Sequence, residues 1–347
     1  MACASHSHAQ RVWGVNGQPN TGDYQAWIPS AVSQQLDYLN ELGTQYYRVS
    51  FSESRNDPTV LDALVPASQN RANKVQIVPI VFVQPVPSAG YQSNYDAGYA
   101  QGKKWADYAL NKGYVITHWE LGNETSNAKT EVGEVNFFTR ANSGMEASDW
   151  SDDRFPGAFD AMAGVLRGLY WGIKDSYRAN GQSTNILFGD MWLHFGYVKK
   201  IMAVRGDNFF PGDMLAWHWY TPNFGGFTTP LVTGDDRTKP SAYAASFGKD
   251  IWMTEVGREG SVQGHAAGGS AEGEQAQSSE LEREVADLLT VPQVKGIFVY
   301  ELYDEADKFK NADPNEKMSQ AYYGLVTAEK KRKLAFYTYK NIISAHR

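Results

Sequence analysis

Eight short runs rich in β-branched and aromatic residues, spread along the whole chain and each followed by a helix-periodic stretch, leave few architectures open. The runs fall at 11–16, 45–51, 75–83, 114–121, 184–190, 213–220, 249–255 and 294–302. They read as continuous apolar segments rather than strict alternations, which is what a parallel sheet covered by helices requires, because both faces of its strands are buried. Helical periodicity marks 30–42, 57–69, 97–112, 156–179, 194–205, 240–247, 276–290 and 333–345; the first of these spaces Leu36, Leu39 and Leu42 before a stop at Gly43. Eight strand-then-helix units predict an α/β chain closed into a single (β/α)8 barrel, the TIM-barrel architecture.

The connections give that barrel a direction. Segments after strands are long, at 125–155, 221–239, 256–275 and 303–332, whereas those leading into strands are short. Active sites of such barrels lie at the carboxyl ends of the strands, so long strand-to-helix loops on that face predict a binding cleft there. A Gly/Ala-rich stretch at 264–273 belongs to one of these loops. The catalytic barrel is expected to span 11–347, with the first ten residues as a disordered tail. These ten lack the apolar helix and basic flank of an intact secretory signal, and Ser7-His8-Ala9 before Gln10 has the small-x-small form of a cleavage-site remnant.

Composition narrows the partners. The 347 residues, 42% hydrophobic, can bury a large core. With 32 Lys and Arg against 39 Asp and Glu, the net charge of −7 argues against nucleic acid or an anionic membrane surface. No apolar run approaches the length of a membrane span. One cysteine, Cys3, rules out an internal disulfide framework. A monomer acting in the extracellular space or periplasm is expected.

Two carboxylates carry the chemistry. Glu124 closes the run His118-Trp119-Glu120-Leu121-Gly122-Asn123-Glu124 after the fourth strand, and Glu255 closes Ile251-Trp252-Met253-Thr254-Glu255 on the seventh. The Asn-Glu pair alone means little, since it recurs at Asn40-Glu41 and Asn315-Glu316, but only Asn123-Glu124 follows a strand. A lone carboxylate buried at a strand end costs several kcal/mol without partners. Strands four and seven face each other across an eight-stranded barrel, so both carboxyls should enter one cleft. Glycosidic bonds are broken by such a pair, and roughly 5–5.5 Å between the groups goes with retention of configuration.

At these positions the chain resembles the retaining TIM-barrel glycoside hydrolases of clan A, most of all family 39 and some family 5 members. The matching residues are Arg48 on strand two, Asn123-Glu124, His218 and Tyr220 on strand six, Glu255, and Tyr300-Glu301-Leu302-Tyr303-Asp304 on strand eight, with Tyr323-Gly324-Leu325-Val326 near the end. The resemblance implies a cofactor-free, metal-free retaining β-glycosidase acting on an oligo- or polysaccharide, with Glu255 as nucleophile and Glu124 as acid/base. Arg48 and Tyr220 would donate to an ionised Glu255. Asn123 would donate to the sugar hydroxyl beside the anomeric carbon, while His218, Tyr300 and Glu301 would line the substrate site. Where the clan usually places Trp at the end of strand eight, this chain has Tyr300.

Neighbouring residues have plainer roles. Glu120 shares the parity of Glu124 and reads as a charge partner, and Trp217 and Trp219 should face the helices when His218 and Tyr220 face inward. Trp150, Tyr220, Phe224, Phe227, Tyr300 and Tyr303 are the candidates for stacking on sugar faces. Two other functional classes stay open: a glycan-binding barrel without catalysis, and a metal-dependent sugar isomerase using His118, His194 or His218.

Overall fold

The computed structural model describes residues 11–17, 29–50, 58–128, 136–140, 144–221, 225–232, 234–258, 271–305 and 321–347. The expected tail, Phe224 and residues 264–270 of the Gly/Ala stretch lie outside them. Eight parallel strands, β1 (Val12–Gly17), β2 (Tyr46–Ser50), β3 (Gln76–Val81), β4 (His118–Leu121), β5 (Asn185–Met191), β6 (Met214–Trp219), β7 (Ile251–Val256) and β8 (Val294–Val299), form a closed barrel in the order 1-8-7-6-5-4-3-2. The ring closes where β1 pairs with β8, Trp13 beside Ile297, and with β2, Asn16 beside Arg48. The described helices are α1 (Pro29–Leu42), α2 (Thr59–Gln69), α3 (Gly90–Asn111), α4 (Ala158–Ala179), α5 (Phe195–Ala203), α6 (Pro240–Ala245), α7 (Ala271–Leu289) and α8 (Leu334–Ala345). This is the (β/α)8 barrel that the sequence predicts.

Side-chain parity divides each strand between two cores. Outward residues such as Trp13, Tyr47, Trp119, Trp217 and Trp219 are buried under the helices; Trp217 stacks on Phe195 of α5 at 4.3 Å between ring centroids. Inward residues Val78, Leu187, Ala216, Trp252 and Phe298 fill the barrel, with Tyr46 packed against them. His118 joins this plug, stacked on Trp252 at 4.3 Å and edge-on to Tyr46 at 5.3 Å. Burial pushes its pKa down to about 4, so it serves as a neutral core ring. Gly14 and Gly296 make room for the plug, since a Cβ at either would drive into Phe298 or Trp252 at 2.2 and 2.8 Å. The barrel is therefore packed solid below, and its polar layer lies above, toward the carboxyl ends of the strands.

Three element starts differ most from the sequence reading, one of them α7, which begins at Ala271 rather than 276. Helix α3 begins at Gly90 rather than 97, although its first turns carry no apolar period. Asn94 holds them, donating to the carbonyls of Val86 and Gly90 and accepting from Val86 N–H. The α3 backbone also lies against Gly164, Gly168 and Gly172 of α4, where a Cβ at Gly168 would sit 2.1 Å from the Tyr95 carbonyl. Strand β4 begins at His118 rather than 114, because Tyr114 N–H is taken by the α3 carbonyl of Ala109.

Candidate active site

The carboxyl ends of β2, β4, β6 and β7 converge on Arg48, which is 2% exposed. Its guanidinium grips Glu120 through Nε and Nη2 at 2.5 and 2.9 Å, Glu255 Oε1 through Nη1 at 2.7 Å, and the amide oxygens of Asn16 and Asn123 at 2.7 and 2.8 Å. Glu120 is thus the charge partner that its parity suggests. Burial works against the cation, but the two carboxylates outweigh it and raise its pKa. Asn123 spends its carbonyl on Arg48, which leaves its amide hydrogens to donate elsewhere.

Glu255 is 4% exposed and fully engaged. Besides Arg48 it accepts from Tyr220 Oη at 2.6 Å, and His218 Nδ1 lies 3.4 Å from its second oxygen. Burial would raise its pKa, yet the attraction of His218 and Arg48 and the hydrogen bonds from Tyr220 and Arg48 prevail, holding the carboxyl below its ordinary value.

A bulge brings Glu255 into this company. Counting from Trp252, which points into the barrel, strict alternation sends Thr254 inward and Glu255 out toward the helices. The register against β6 slips instead: Trp217 pairs with Met253 and the next residue, His218, with Glu255. The extra residue turns the Glu255 side chain inward beside His218. Asn16 secures the kink by donating its amide to the Thr254 carbonyl at 2.8 Å.

Glu124 reaches the same point by another route. It lies beyond the end of β4 with left-handed backbone, φ 47° and ψ 51°, after Gly122 at φ 72°. Its side chain is 25% exposed and accepts from His218 Nδ1 at 3.0 Å. His218 therefore bridges the two acids, its Nδ1 hydrogen facing both. Burial opposes a charge on this ring, but Glu255 and the bond to Glu124 outweigh it and raise the pKa. One donor atom from each of Glu124, His218 and Glu255 lies within 4.8 Å of the others.

Such a trio can bind a divalent cation in other surroundings. Here the Arg48 guanidinium touches Glu255 and stands 3.2 Å from His218 Nε2. A fixed positive charge at this distance repels a dication in a poorly solvated site, so the donor set fits acid–base chemistry better than a metal.

The remaining candidates separate by exposure. Tyr300 is half-buried, edge-on to Tyr323 and Tyr220 at 5.5 and 6.5 Å, so it borders the Glu255 wall. Tyr323 touches Tyr220 at 5.8 Å and completes the cluster. Glu301 follows a cis peptide from Tyr300 and is 1% exposed, near enough to Tyr47 for its charge to raise that phenol's pKa, after the larger effect of burial. Trp150, Phe227 and Tyr303 are not sugar platforms: each is buried, packed on His194, Trp219 and Tyr38 respectively. Their place in strand-end segments suggests an exposure that neighbouring rings remove. Asn16 escapes the sequence reading because nothing in Val15-Asn16-Gly17 distinguishes it from a turn.

The (β/α)8 barrel fold is shared with solved glycosidases. Among solved structures it is shared by a GH2 β-galacturonidase from Eisenbergiella tayi (TM-score 0.59, 15% identity, 97% of this chain and 51% of that one). A family 39 glycoside hydrolase from Bacteroides cellulosilyticus WH2 shares it at TM-score 0.61 and 13% identity, over 96% of this chain and 64% of that one. A β-glucuronidase from Faecalibacterium prausnitzii gives TM-score 0.60 and 13% identity over 98% and 50%. The chain spans about half to under two-thirds of the length of these proteins, and at such identities the likeness is one of fold. No family model and no curated protein matches the chain.

Proposed function

We propose that this protein is a β-glycoside hydrolase working by double displacement. The observation that carries the reading is the meeting of Glu124, His218 and Glu255 within 4.8 Å at the carboxyl end of the barrel, with one acid ionised and the other open to the cleft. Glu255 attacks the anomeric carbon, with Arg48, Tyr220 and His218 keeping it charged and aimed. Glu124, on the more exposed side, delivers a proton to the departing oxygen and then takes one from water when the glycosyl-enzyme is hydrolysed. One oxygen of each carboxylate lies within 4.8 Å of the other, which fits the short spacing of retention better than the roughly 6.5–9.5 Å between groups that inversion uses to admit water. Asn123 offers its free amide hydrogens to the hydroxyl next to the anomeric carbon. Tyr220, Tyr300 and Tyr323 border the sugar site on the Glu255 side.

The substrate we infer is a β-linked oligo- or polysaccharide, held among the long strand-to-helix segments. Two of the structural neighbours are a β-galacturonidase and a β-glucuronidase, so β-uronides belong in the first panel beside neutral β-glycosides. Incubation with 2-fluoro glycosides of both kinds, followed by digestion and mass spectrometry, should place one sugar on Glu255. A label on another carboxylate, or turnover without any trapped intermediate and with inverted product, defeats the assignment.

A further inference from the structure

Beneath Glu124 lies a second buried polar cluster that takes no part in the bond-breaking steps. Thr125–Asn127 forms a single tight turn immediately after Glu124, closed by Asn127 N–H on the Glu124 carbonyl. Asp190, at the end of β5, reaches across to it. One carboxylate oxygen accepts Ser126 N–H at 2.8 Å and the Thr125 hydroxyl at 3.3 Å. The other accepts the Ser126 hydroxyl at 2.5 Å and the N–H of Met191 at 2.9 Å, with His194 Nδ1 at 3.2 Å. His194 Nδ1 also lies 2.6 Å from Ser126 Oγ, and Tyr197 donates to Thr125 Oγ1 at 3.1 Å. Thr125, Ser126, Asp190 and His194 are each at most 3% exposed.

The residue types invite comparison with a nucleophilic triad, but the geometry refuses it. Serine and aspartate meet the same ring nitrogen, whereas a relay needs them on opposite ones. Ser126 is also sealed from any substrate. The hydroxyls of Thr125 and Ser126 and the N–H groups of Ser126 and Met191 all point at Asp190, so the carboxylate acts as a hub of charge-assisted bonds, stronger than neutral ones. Three of these bonds come from Ser126 and Thr125, the residues that fix the backbone leaving Glu124. A left-handed conformation at a glutamate is sparsely populated and persists only where surroundings over-determine it. Here the over-determination comes from Asp190.

We propose that Asp190, with Ser126 and His194, is the positioning device for the acid/base Glu124. This rests on the hydrolase reading, because positioning matters only if Glu124 transfers a proton. Asp190 holds the turn, the turn holds the left-handed backbone, and the backbone aims a carboxyl that accepts from His218. Small displacements at such a group cost on the order of 100-fold in rate.

The test compares D190N and S126A with wild type on two aryl glycosides of the same sugar, one with a phenol leaving group and one with 2,4-dinitrophenol. The phenol needs a proton to depart and the dinitrophenol hardly does. A misplaced acid should lower kcat/KM for the phenyl glycoside by roughly 10- to 100-fold while leaving the dinitrophenyl glycoside within about threefold. A structural role elsewhere in the barrel would lower both alike, and equal losses overturn the proposal. If D190N fails to fold, S126A decides, since it removes one hydroxyl and leaves the backbone bond intact. Wild-type enzyme inert toward every glycoside tried would bring down the hydrolase reading itself, a result recognisable before any variant is made.

Discussion

The two walls of the cleft hold their acids in opposite ways. Glu255 sits on a strand, nearly sealed, in direct contact with a cation, a phenol and an imidazole. Glu124 sits on a turn, a quarter exposed, touching His218 and steadied from behind through the backbone. The difference suits two jobs. A nucleophile must stay charged in one place, so fixed donors serve it, whereas an acid/base must hold and release a proton at the edge of solvent. Glu124 meets His218 directly, and the support from Asp190 reaches it through the backbone, fixing its place without touching the carboxyl.

Substitutions at the two acids should give the largest effects. Glu255→Gln should lose about 10,000-fold or more in kcat with every leaving group, while Glu124→Gln should lose roughly 100- to 1,000-fold in kcat/KM on a phenyl glycoside and under about tenfold on a dinitrophenyl one. Equal leaving-group profiles for the two variants would erase the division of labour. Next comes Arg48→Met, which strands Glu120 and Glu255 as buried anions and should cost about 3–5 kcal/mol in denaturant unfolding. Arg48 helps hold the Glu255 pKa below its ordinary value, so in that variant the acid limb of the pH–rate profile should move to higher pH; an unmoved limb would show that His218 and Tyr220 suffice. Tyr220→Phe removes a single 2.6 Å bond to the carboxylate. Charge-assisted bonds contribute about 1.5–3 kcal/mol, so denaturant unfolding should lose up to about that much and kcat/KM should fall about tenfold.

The smallest expected effect lies behind the Glu255 wall. Glu284 on α7 accepts Thr221 N–H and hydroxyl, both at 3.0 Å, just past Tyr220. Burial pushes its pKa up to about 8. The folded protein therefore keeps a proton that the unfolded chain releases near 4.5, so this group's stabilising contribution is full below 4.5 and is lost as pH rises through about 8. Glu284→Gln, which mimics the protonated form, should narrow the difference in Tm between pH 5 and pH 9 by a few degrees. A difference as wide as in wild type would mean the carboxyl does not titrate in that window.

Much of the fold and part of the site are legible in the sequence. The eight strands appear where the apolar runs place them, because burial on both faces leaves a mark in composition that needs no partner to read. Arg48, Glu120, His218 and Tyr220 are likewise inward by simple alternation along regular strands. The start of α3 is hidden, since Gly90 to Asp96 has no apolar stripe and is held by Asn94 and the glycines of α4. The aromatic candidates Trp150, Phe227 and Tyr303 mislead because exposure depends on which rings pack over them.

The order of the elements and the strand ends that carry Glu124 and Glu255 follow from the chain alone, because periods of two and 3.6 residues are local properties. Which way Glu255 points does not, since alternation from Trp252 turns it outward, and the shifted pairing with β6 and β8 together with the Asn16 bond holds the bulge that turns it in. Nor does the seat of Glu124, which depends on Asp190, distant in sequence and brought close by the closing of β4 onto β5. Register and contact across strands are cooperative quantities, fixed when the barrel closes and carried by no single segment.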